Sequence, residues 1–388
     1  MPVNAIPKPS QLSPIQVSAF KIGQPVPWDI YDAKGSLLLR KGFTIADARQ
    51  LDVFAGRDLF IEKADKAQGL RLAMANASVV SILGEAASAL RSLHQNIIRG
   101  LKSDQTQDKT FEIANTLAMA ISVNTDICLA NIFYNKFGHD DYPLHHSLDT
   151  AILSILMAQA MEKPEEEIEL IAASALTMNV GMLTLQEQLL KRSDKLTATE
   201  KTKIHQHPEG SVDLLRKAGI SDENWLNCVR DHHEKIDGSG YPSGLTGADI
   251  PECAQIVSLA DRYSACLSPR RYRPGMLATE VMRGLFIEQA STIDVMLAGQ
   301  LVKVLGVYPP GSFVRLQNGE IAVVVRRGKM GTTPLVISFI APRGGPMAHL
   351  VKRDTREKTF AVRGGVRLEQ KDVPHTMAEL WGKQAEAE

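Results

Sequence analysis

The chain has 388 residues, its 44 Lys plus Arg equal its 44 Asp plus Glu, and its hydrophobic share is 44%. This length allows two or three domains, one of them with a sizeable core. The balanced charge gives no net field towards a polyanion or an anionic membrane, so neither nucleic acid nor membrane is an expected partner. The N-terminus lacks a signal-peptide layout, and the apolar runs read as too short to span a bilayer. We therefore predict a cytoplasmic location.

The predicted architecture is mainly α, with a helical bundle between two small β modules. Four scattered cysteines without a CxxC pair indicate reduced, mostly buried thiols: Cys128, Cys228, Cys253 and Cys266. The predicted boundaries are a loose N-terminus at 1–14, a β-rich module at 15–65, a helical segment at 66–137, a helical domain at 138–305, a β module at 306–375 and a charged tail at 376–388.

In the N-terminal module, the turn-forming run Asp32–Gly35 separates two apolar segments, which predicts a hairpin of Ile30–Tyr31 with Leu37–Leu39. A short helix is expected at Thr44–Phe54. From residue 68 the apolar residues recur at three- and four-residue spacing, which is typical of helices with one buried face. The polar run Ser103–Lys109 predicts a loop between two such helices.

The helical periodicity continues through the middle of the chain and ends near residue 305. After it, β-forming residues flank Asn318-Gly319, which predicts a second hairpin. Further strands are expected at Leu335–Ile340 and Thr359–Val362. The predicted helices of the bundle cover His146–Met161, Glu165–Leu176, Thr199–Ala218 and, as a single helix, Met276–Leu305.

Six of the ten histidines fall in three places in the predicted bundle: His145-His146, His205 with His207, and His232-His233. Histidines together with carboxylates suit Zn, Mn or Fe, and such a site can activate water for phosphodiester hydrolysis. A single histidine is more often a packing residue. The string HHEKIDGSGYP, which begins at His232, is far more specific, because its elements occur in a fixed order and spacing.

On this string, and on the runs DDYPLHHSLDTA, KIHQHPEGSVDLL and ADRYSACLSPRRYR, residues 140–273 resemble the HD-GYP domain, a branch of the HD phosphohydrolase superfamily. The resemblance implies a helical bundle that binds two or three metal ions and hydrolyses cyclic di-GMP. It implies metal ligands at His146, His207, His232, His233 and Asp261. It implies ligand-binding positions at Lys235, Asp237, Gly238, Gly240, Tyr241, Pro242, Arg270 and Arg273.

The chain departs from the family pattern at its His-Asp dyad. The frame set by Gly181 places Met178 at the histidine, Asn179 at the aspartate and Met182 at a lysine. A bridging carboxylate holds together two cations about 3.5–4 Å apart, and an amide supplies no charge for this. A thioether is a soft ligand that matches these ions poorly. Tyr142, four residues before His146, falls where members with a third metal carry Glu, which argues against a third ion.

Three interpretations of the histidines stay open at this point. They are relics that satisfy a polar core, or they hold one metal for folding or ligand capture, or they serve a hydrolase with altered metal chemistry. The remaining set His207, His232 and His233 can hold one ion with an open position. The expected cofactor is therefore one divalent transition metal (Fe, Mn or Zn) or none.

The loop Asp237–Pro242, which ends in Gly-Tyr-Pro and is called the GYP loop below, matches the family pattern in full. Its glycines permit close backbone approach, Tyr241 offers a ring for stacking on a base, and Lys235, Arg270 and Arg273 are candidate phosphate partners. We therefore predict a protein of cyclic di-GMP signalling that binds cyclic di-GMP, pGpG or a partner protein such as a GGDEF-type cyclase, with weak or lost hydrolysis. The alternative is an active metal-dependent phosphodiesterase that produces pGpG or GMP.

Overall fold

The structure is a computed structural model, and its contacts divide the chain into two compact units, residues 1–77 and 78–388. Each unit is described by itself. The residues that the structure describes are 12–15, 23, 25–26, 28–47, 49–50, 53–54, 57–62, 77–134, 141–190, 192, 194–269, 275–288, 291–368 and 375–386.

The N-terminal unit contains an antiparallel sheet in the order β1-β4-β2-β3. The predicted hairpin is confirmed, with Ile30 opposite Leu39 and a turn in which the Asp32 carboxylate accepts the backbone N–H groups of Lys34 and Ser36. The strands are β1 (Leu12–Ile15), β2 (Ile30–Tyr31), β3 (Leu37–Leu39) and β4 (Leu59–Glu62).

Two expectations for this unit differ from the structure. Residues 12–14 of the predicted loose N-terminus lie in β1, which pairs with β4. Thr44, the predicted start of a helix, forms an isolated β-bridge with Pro25, whereas residues 49–50 are helical as predicted, and part of the predicted helix lies outside the described residues. Local propensity gave no sign of either pairing, because both partners are distant in the sequence.

The second unit begins with two long helices that pack against each other, α1 (Val79–Ile98) and α2 (Thr106–Tyr134). The predicted loop between them is confirmed, although it ends at residue 105, before Lys109. The backbone of α2 is kinked at Asn124. By length and composition, α2 is apolar enough to cross a membrane, contrary to the sequence expectation for the chain's apolar runs. One face of α2 packs on the bundle.

The bundle surrounds one almost fully buried helix, α3, which contacts α4 and α8 most extensively. The next helix, α4, begins with three glutamates in its first turn, where carboxylates favour the helix dipole. The mainly helical architecture is thereby confirmed. The helices are α3 (Tyr142–Ala160), α4 (Glu165–Thr177), α5 (Leu183–Leu190), α6 (Ala198–Ala218), α7 (Glu223–Asp231) and α8 (Glu252–Leu267).

Side chains cap the starts of α6 and α7, the two helices that position the predicted metal ligands His207 and His232. Thr197 and Glu200 form a capping box at the start of α6, and Gly219 ends this helix in the left-handed conformation, with φ of 105°. Asp222 accepts two backbone N–H groups at the start of α7. These caps fix where α6 and α7 begin, and hence which residues reach the bundle interior.

The single helix predicted at Met276–Leu305 is wrong. The described part of this stretch contains α9 (Ala278–Arg283), a π-helical turn (Gly284–Glu288) and α10 (Val295–Leu305). Asp294 caps α10 by accepting the N–H groups of Met296 and Leu297. A side chain that caps a new helix competes with continuation of the old one, which explains the break.

The C-terminal residues form an antiparallel sheet in the order β8-β7-β6-β5-β9. The predicted hairpin at Asn318-Gly319 is confirmed, with Gly319 at φ of 94°. Thr359, predicted in a strand, lies in a 3-10 turn, and the strand begins at Val362. The strands are β5 (Phe313–Leu316), β6 (Ile321–Arg326), β7 (Leu335–Ile340), β8 (Pro346–Asp354) and β9 (Val362–Gly365).

The sheet packs on α2 and on the last helix, α11 (Met377–Trp381). Arg327 donates to Asp126 of α2 at 2.6 Å and to the Val304 carbonyl at 2.8 Å. The indole of Trp381 donates to the carbonyl of Val325 at 2.9 Å. The C-terminal sheet and the bundle are thus joined through α2 and α11.

Candidate metal centre and adjoining cavity

Three histidines predicted as metal ligands meet inside the bundle. His207 comes from the middle of α6, His232 is the C-terminal cap of α7, and His233 follows it. One ring nitrogen from each lies within 4.8 Å of the others, and both His207 and His232 are buried. Two helices that pack against each other therefore bring together residues 25 positions apart in sequence.

The hydrogen bonds of His207 and His232 define which of their ring nitrogens are free. His207 Nδ1 donates to the Ile204 carbonyl at 2.5 Å, and His232 Nδ1 donates to the Val229 carbonyl at 2.7 Å. Each Nε2 is then an unprotonated acceptor, and the two Nε2 atoms face each other at 3.4 Å. Two lone pairs at this distance repel, and a shared cation removes the repulsion. The donor set therefore fits a divalent transition metal.

The environment keeps these histidines neutral, as metal ligation requires. Burial, aided by the charge of His232, lowers the pKa of His207 to about 3. Burial also lowers the pKa of His232, and lowers that of His233 well below its usual value. All three imidazoles can therefore offer a lone pair at neutral pH.

The other two predicted ligands form a separate pair. His146 Nε2 lies 2.7 Å from Asp261 Oδ1, and His146 Nδ1 lies 3.3 Å from the hydroxyl of Ser264. Burial alone raises the pKa of Asp261, but its hydrogen bond with His146 holds this pKa below its usual value. The ring of Tyr142 stacks on His146 with centroids 5.2 Å apart.

The residues at the altered dyad are buried at the end of α4. Met178 is 0% exposed and Asn179 is 2% exposed, and Asn179 Oδ1 has no hydrogen-bond partner among the described residues. An uncompensated buried amide oxygen is costly, so this atom is a candidate for an unmet ligand contact. An amide oxygen is neutral, so Asn179 supplies no charge to a bound cation.

Gly181, which follows the altered dyad, has no room for a side chain. A Cβ on Gly181 would lie 2.7 Å from the carbonyl oxygen of His207 and 2.7 Å from the backbone nitrogen of Ser211. The Ser211 hydroxyl also accepts from the Gly181 N–H and donates to the Met178 carbonyl. The loop after α4 is therefore docked directly on the helix that carries His207.

A cavity of about 800 Å³ opens beside the histidine cluster. Three predicted metal ligands line it, namely His146, His233 and Asp261, and so does Met182 of the altered motif. Its volume lies within the range of about 300–1,000 Å³ that is usual for small-molecule sites. The remaining wall comes from α5, the start of α6 and the segment between them.

The GYP loop is held by Glu234, a residue that the sequence analysis did not single out. Its buried carboxylate accepts the backbone N–H groups of Ser243, Gly244 and Leu245 at 2.6, 3.0 and 3.0 Å. A Cβ on Gly240 would lie 2.5 Å from the Cα of Glu234, so only glycine fits there. The position of Glu234 directly after His232-His233 was the sequence feature that could have identified it. The sequence does not show from which backbone N–H groups its carboxylate accepts hydrogen bonds.

Tyr241 has ring contacts that the sequence did not predict. Its ring is nearly parallel to His205, with centroids 4.3 Å apart, and it also stacks on His233 at 4.7 Å. Burial raises the pKa of its phenol. Tyr241 also lines the cavity, so it links the histidine cluster to this space. The peptide bond between Tyr241 and Pro242 is cis.

The other predicted loop residues lie away from the lining of the cavity. Asp237 accepts from the backbone N–H and the hydroxyl of Ser239, and Lys235 donates to the same hydroxyl at 3.4 Å. Gly238 packs so tightly that a Cβ would lie 2.8 Å from Thr246 Cγ2. Arg270 and Arg273 lie outside the described residues.

Comparison with known proteins matches residues 139–297 to the family described as HD domain. The chain is 30% identical to Cyclic di-GMP phosphodiesterase PA4108 of Pseudomonas aeruginosa over 205 residues, 53% of this chain and 49% of that protein. It is 31% identical to Cyclic di-GMP phosphodiesterase response regulator RpfG of Xanthomonas campestris pv. campestris over 166 residues, 40% of this chain and 44% of that protein. The chain thus spans about half the length of these curated relatives.

Among solved structures, Bd1817, a HDG"Y"P protein from Bdellovibrio bacteriovorus, covers 76% of this chain and 99% of its own, with 18% identity and a TM-score of 0.45. The helical bundle with its cluster of histidines defines an HD domain. The loop from Asp237 to Pro242 lies within this domain, and the relatives named cyclic di-GMP phosphodiesterases support its assignment to the HD-GYP branch.

Proposed function

We propose that this chain binds cyclic di-GMP, or its product pGpG, in the cavity beside the histidine cluster and hydrolyses it weakly or not at all. One observation carries the proposal: a formed three-histidine site adjoins a ligand-sized cavity, while Met178 and Asn179 occupy the dyad positions. The relatives named cyclic di-GMP phosphodiesterases supply the ligand class.

The proposed metal ligands are His207, His232 and His233, which suit Fe, Mn or Zn in a single site. When bound, the ion supplies a Lewis acid for a phosphoryl oxygen. His146 and Asp261 line the cavity as a hydrogen-bonded pair and can orient a water or a ribose hydroxyl. Tyr241 contributes a ring edge and a protonated phenol.

The chain's own residues favour binding over turnover. Two-metal phosphodiester hydrolysis needs an anion between the cations to offset their repulsion, and Asn179 is neutral. Met182 lines the cavity where the family has a lysine, so it lacks a cation for the phosphate. In this proposal the ligand is therefore captured while the barrier to hydrolysis remains high.

The loop offers a second binding role. Asp237 and Ser239 are exposed at its tip, away from the cavity lining, and a partner such as a GGDEF-type protein could contact them while the cavity is filled. The alternative enzymatic role rests on the same three histidines, whose ring nitrogens lie within 4.8 Å of one another and can hold an ion with an open coordination position.

The test is metal content and turnover on one preparation, purified anaerobically without chelator. We expect at most one metal per chain, binding of cyclic di-GMP or pGpG at tens of micromolar or tighter, and little product. Two metals per chain with rapid product formation would support the enzyme instead. Absence of binding to both nucleotides, with no captured partner, would refute the proposed function.

A further inference from the structure

One part of the cavity wall contains residues that the proposed function does not use. It is formed by α5, the start of α6 and the segment between them, and most of it is apolar. Two lysines, Lys195 and Lys201, line the cavity together with these residues. The apolar part consists of Leu185, Leu189, Leu190, Leu196 and Ile204.

These two lysines are available for a ligand. Within the described part of the chain, no carboxylate lies within ion-pair distance of Lys195 or Lys201, whereas neighbouring Arg192 is paired with Glu200 at 2.8 Å. An exposed ammonium without a fixed partner can approach a phosphate at little cost, because it does not have to leave an existing ion pair.

A second observation on the same wall indicates a ligand. Gln186 of α5 lines the cavity, and its Oε1 is buried without a hydrogen-bond partner among the residues described. A buried acceptor of this kind is stabilised by a donor that enters the cavity. Nucleobases carry N–H donors on their edges, and their faces suit the adjacent leucines and Ile204.

We propose that Lys195 and Lys201 bind the two phosphates of a cyclic dinucleotide and thereby replace the cation lost at Met182. This inference rests on the proposed function, and it names the side of the cavity on which the ligand lies. Two phosphodiesters carry one negative charge each, and the wall offers two ammonium groups. Asp194, which also lines the cavity, opposes this attraction.

The test is calorimetric titration of the full chain with cyclic di-GMP at low salt and fixed metal loading. Lys195→Gln and Lys201→Gln are each expected to weaken binding about tenfold, as for a lost charge-assisted hydrogen bond, and the double variant more. Lys203→Gln is the matched control, because Lys203 is exposed on the same helix but does not line the cavity. It is expected to bind within twofold of the parent.

Two further variants test the charge argument. Asp194→Asn removes the opposing carboxylate and is expected to tighten binding. Met182→Lys in the Lys195→Gln/Lys201→Gln background is expected to restore part of the lost affinity, because the ammonium returns to the same cavity. Thermal unfolding and metal content, which neither lysine should affect, identify any variant that is misfolded.

The outcomes separate the two proposals. If the parent binds and the double lysine variant binds equally well, the phosphate role of the lysines is wrong and the proposed function stands. If the parent binds neither cyclic di-GMP nor pGpG, both are wrong. Loss of affinity in Lys203→Gln equal to that in Lys201→Gln would show a general charge effect, and it would overturn the site.

Discussion

His146 and Asp261 are hydrogen-bonded to each other at 2.7 Å, and the second ring nitrogen of His146 faces the hydroxyl of Ser264. These two predicted metal ligands thus have protein partners. In the three-histidine cluster, in contrast, His207 and His232 direct free Nε2 acceptors towards each other, and a ring nitrogen of His233 lies within 4.8 Å of theirs. This asymmetry distinguishes the three-histidine cluster from the hydrogen-bonded pair of His146 and Asp261.

The first prediction concerns the metal. His232→Ala is expected to abolish binding of Mn²⁺ or Zn²⁺ and the rise in melting temperature that the ion gives, because it removes a central donor and leaves His207 Nε2 without its neighbour. Elemental analysis and thermal unfolding with and without chelator provide the measurement. His205→Gln is the control, since His205 lies beside the cluster but is not among its ligands. Equal metal content in both variants would contradict the assignment.

The second prediction concerns the altered dyad. Asn179→Asp places a carboxylate at a position that is 2% exposed, so we expect about 2 kcal/mol lower stability in chelator. Added Mn²⁺ should recover this loss, because the carboxylate then has a cation to bind. Urea unfolding at several metal concentrations measures both effects.

A double variant that carries both Met178→His and Asn179→Asp is compared with the parent. The double variant is expected to take up a second metal per chain and to hydrolyse cyclic di-GMP faster than the parent. Unchanged metal content and unchanged turnover would show that residues 178 and 179 do not limit metal binding or hydrolysis at this site.

Sequence patterns predicted the local elements well and the long-range contacts poorly. The hairpin at Asn318-Gly319 was recognisable because its turn chemistry is local. The pairing of β1 with β4 depends on a partner distant in the sequence, whereas the break before α10 comes from the local cap at Asp294, which hydrophobic periodicity does not reveal. The same division applies to the site.

The histidine cluster was predictable as a set, since HHEKIDGSGYP fixes two of its members and KIHQHPEG a third. The sequence could not show that His205 stacks on Tyr241, because exposed stacking depends on the rotation of α6. Nor could it place Lys201 and Gln186 in one cavity wall, since only the packing of α5 and α6 beside α3 creates that space. Spacing identifies ligand types, whereas tertiary packing decides what else faces them.

The third prediction concerns the anchor of the GYP loop. Glu234→Gln keeps one acceptor oxygen but turns an N–H₂ group towards a backbone donor, so at least one amide loses its partner. We expect a loss of about 1–3 kcal/mol in stability and faster hydrogen exchange at Ser243, Gly244 and Leu245. Glu187→Gln, on the exposed face of α5, is the control and should leave both unchanged. Slow exchange at these three amides in Glu234→Gln would show that the carboxylate does not hold the loop.

The fourth prediction concerns pH and a histidine outside the metal site. His94 of α1 is buried, and its Nε2 donates to the Leu176 carbonyl at 2.8 Å. Burial lowers the pKa of His94 to about 4, although the hydrogen bond to Leu176 opposes the shift. In the unfolded chain the value is about 6.5, so between these two pH values the unfolded state binds more protons. The contribution of His94 to stability should therefore be almost fully present above pH 7 and fall as the pH drops from about 6.5 towards 4.

The contribution of His94 to this fall is about 2 kcal/mol between pH 7.5 and pH 5. His94→Gln keeps an N–H donor for the Leu176 carbonyl but does not titrate, so its unfolding free energy should depend less on pH by this amount. Urea unfolding of parent and variant at both pH values, with saturating metal in each sample, isolates the difference from the other histidines. Parallel pH profiles for the two proteins would mean that His94 has the same proton affinity in the folded and unfolded chain, and that its burial carries no electrostatic cost.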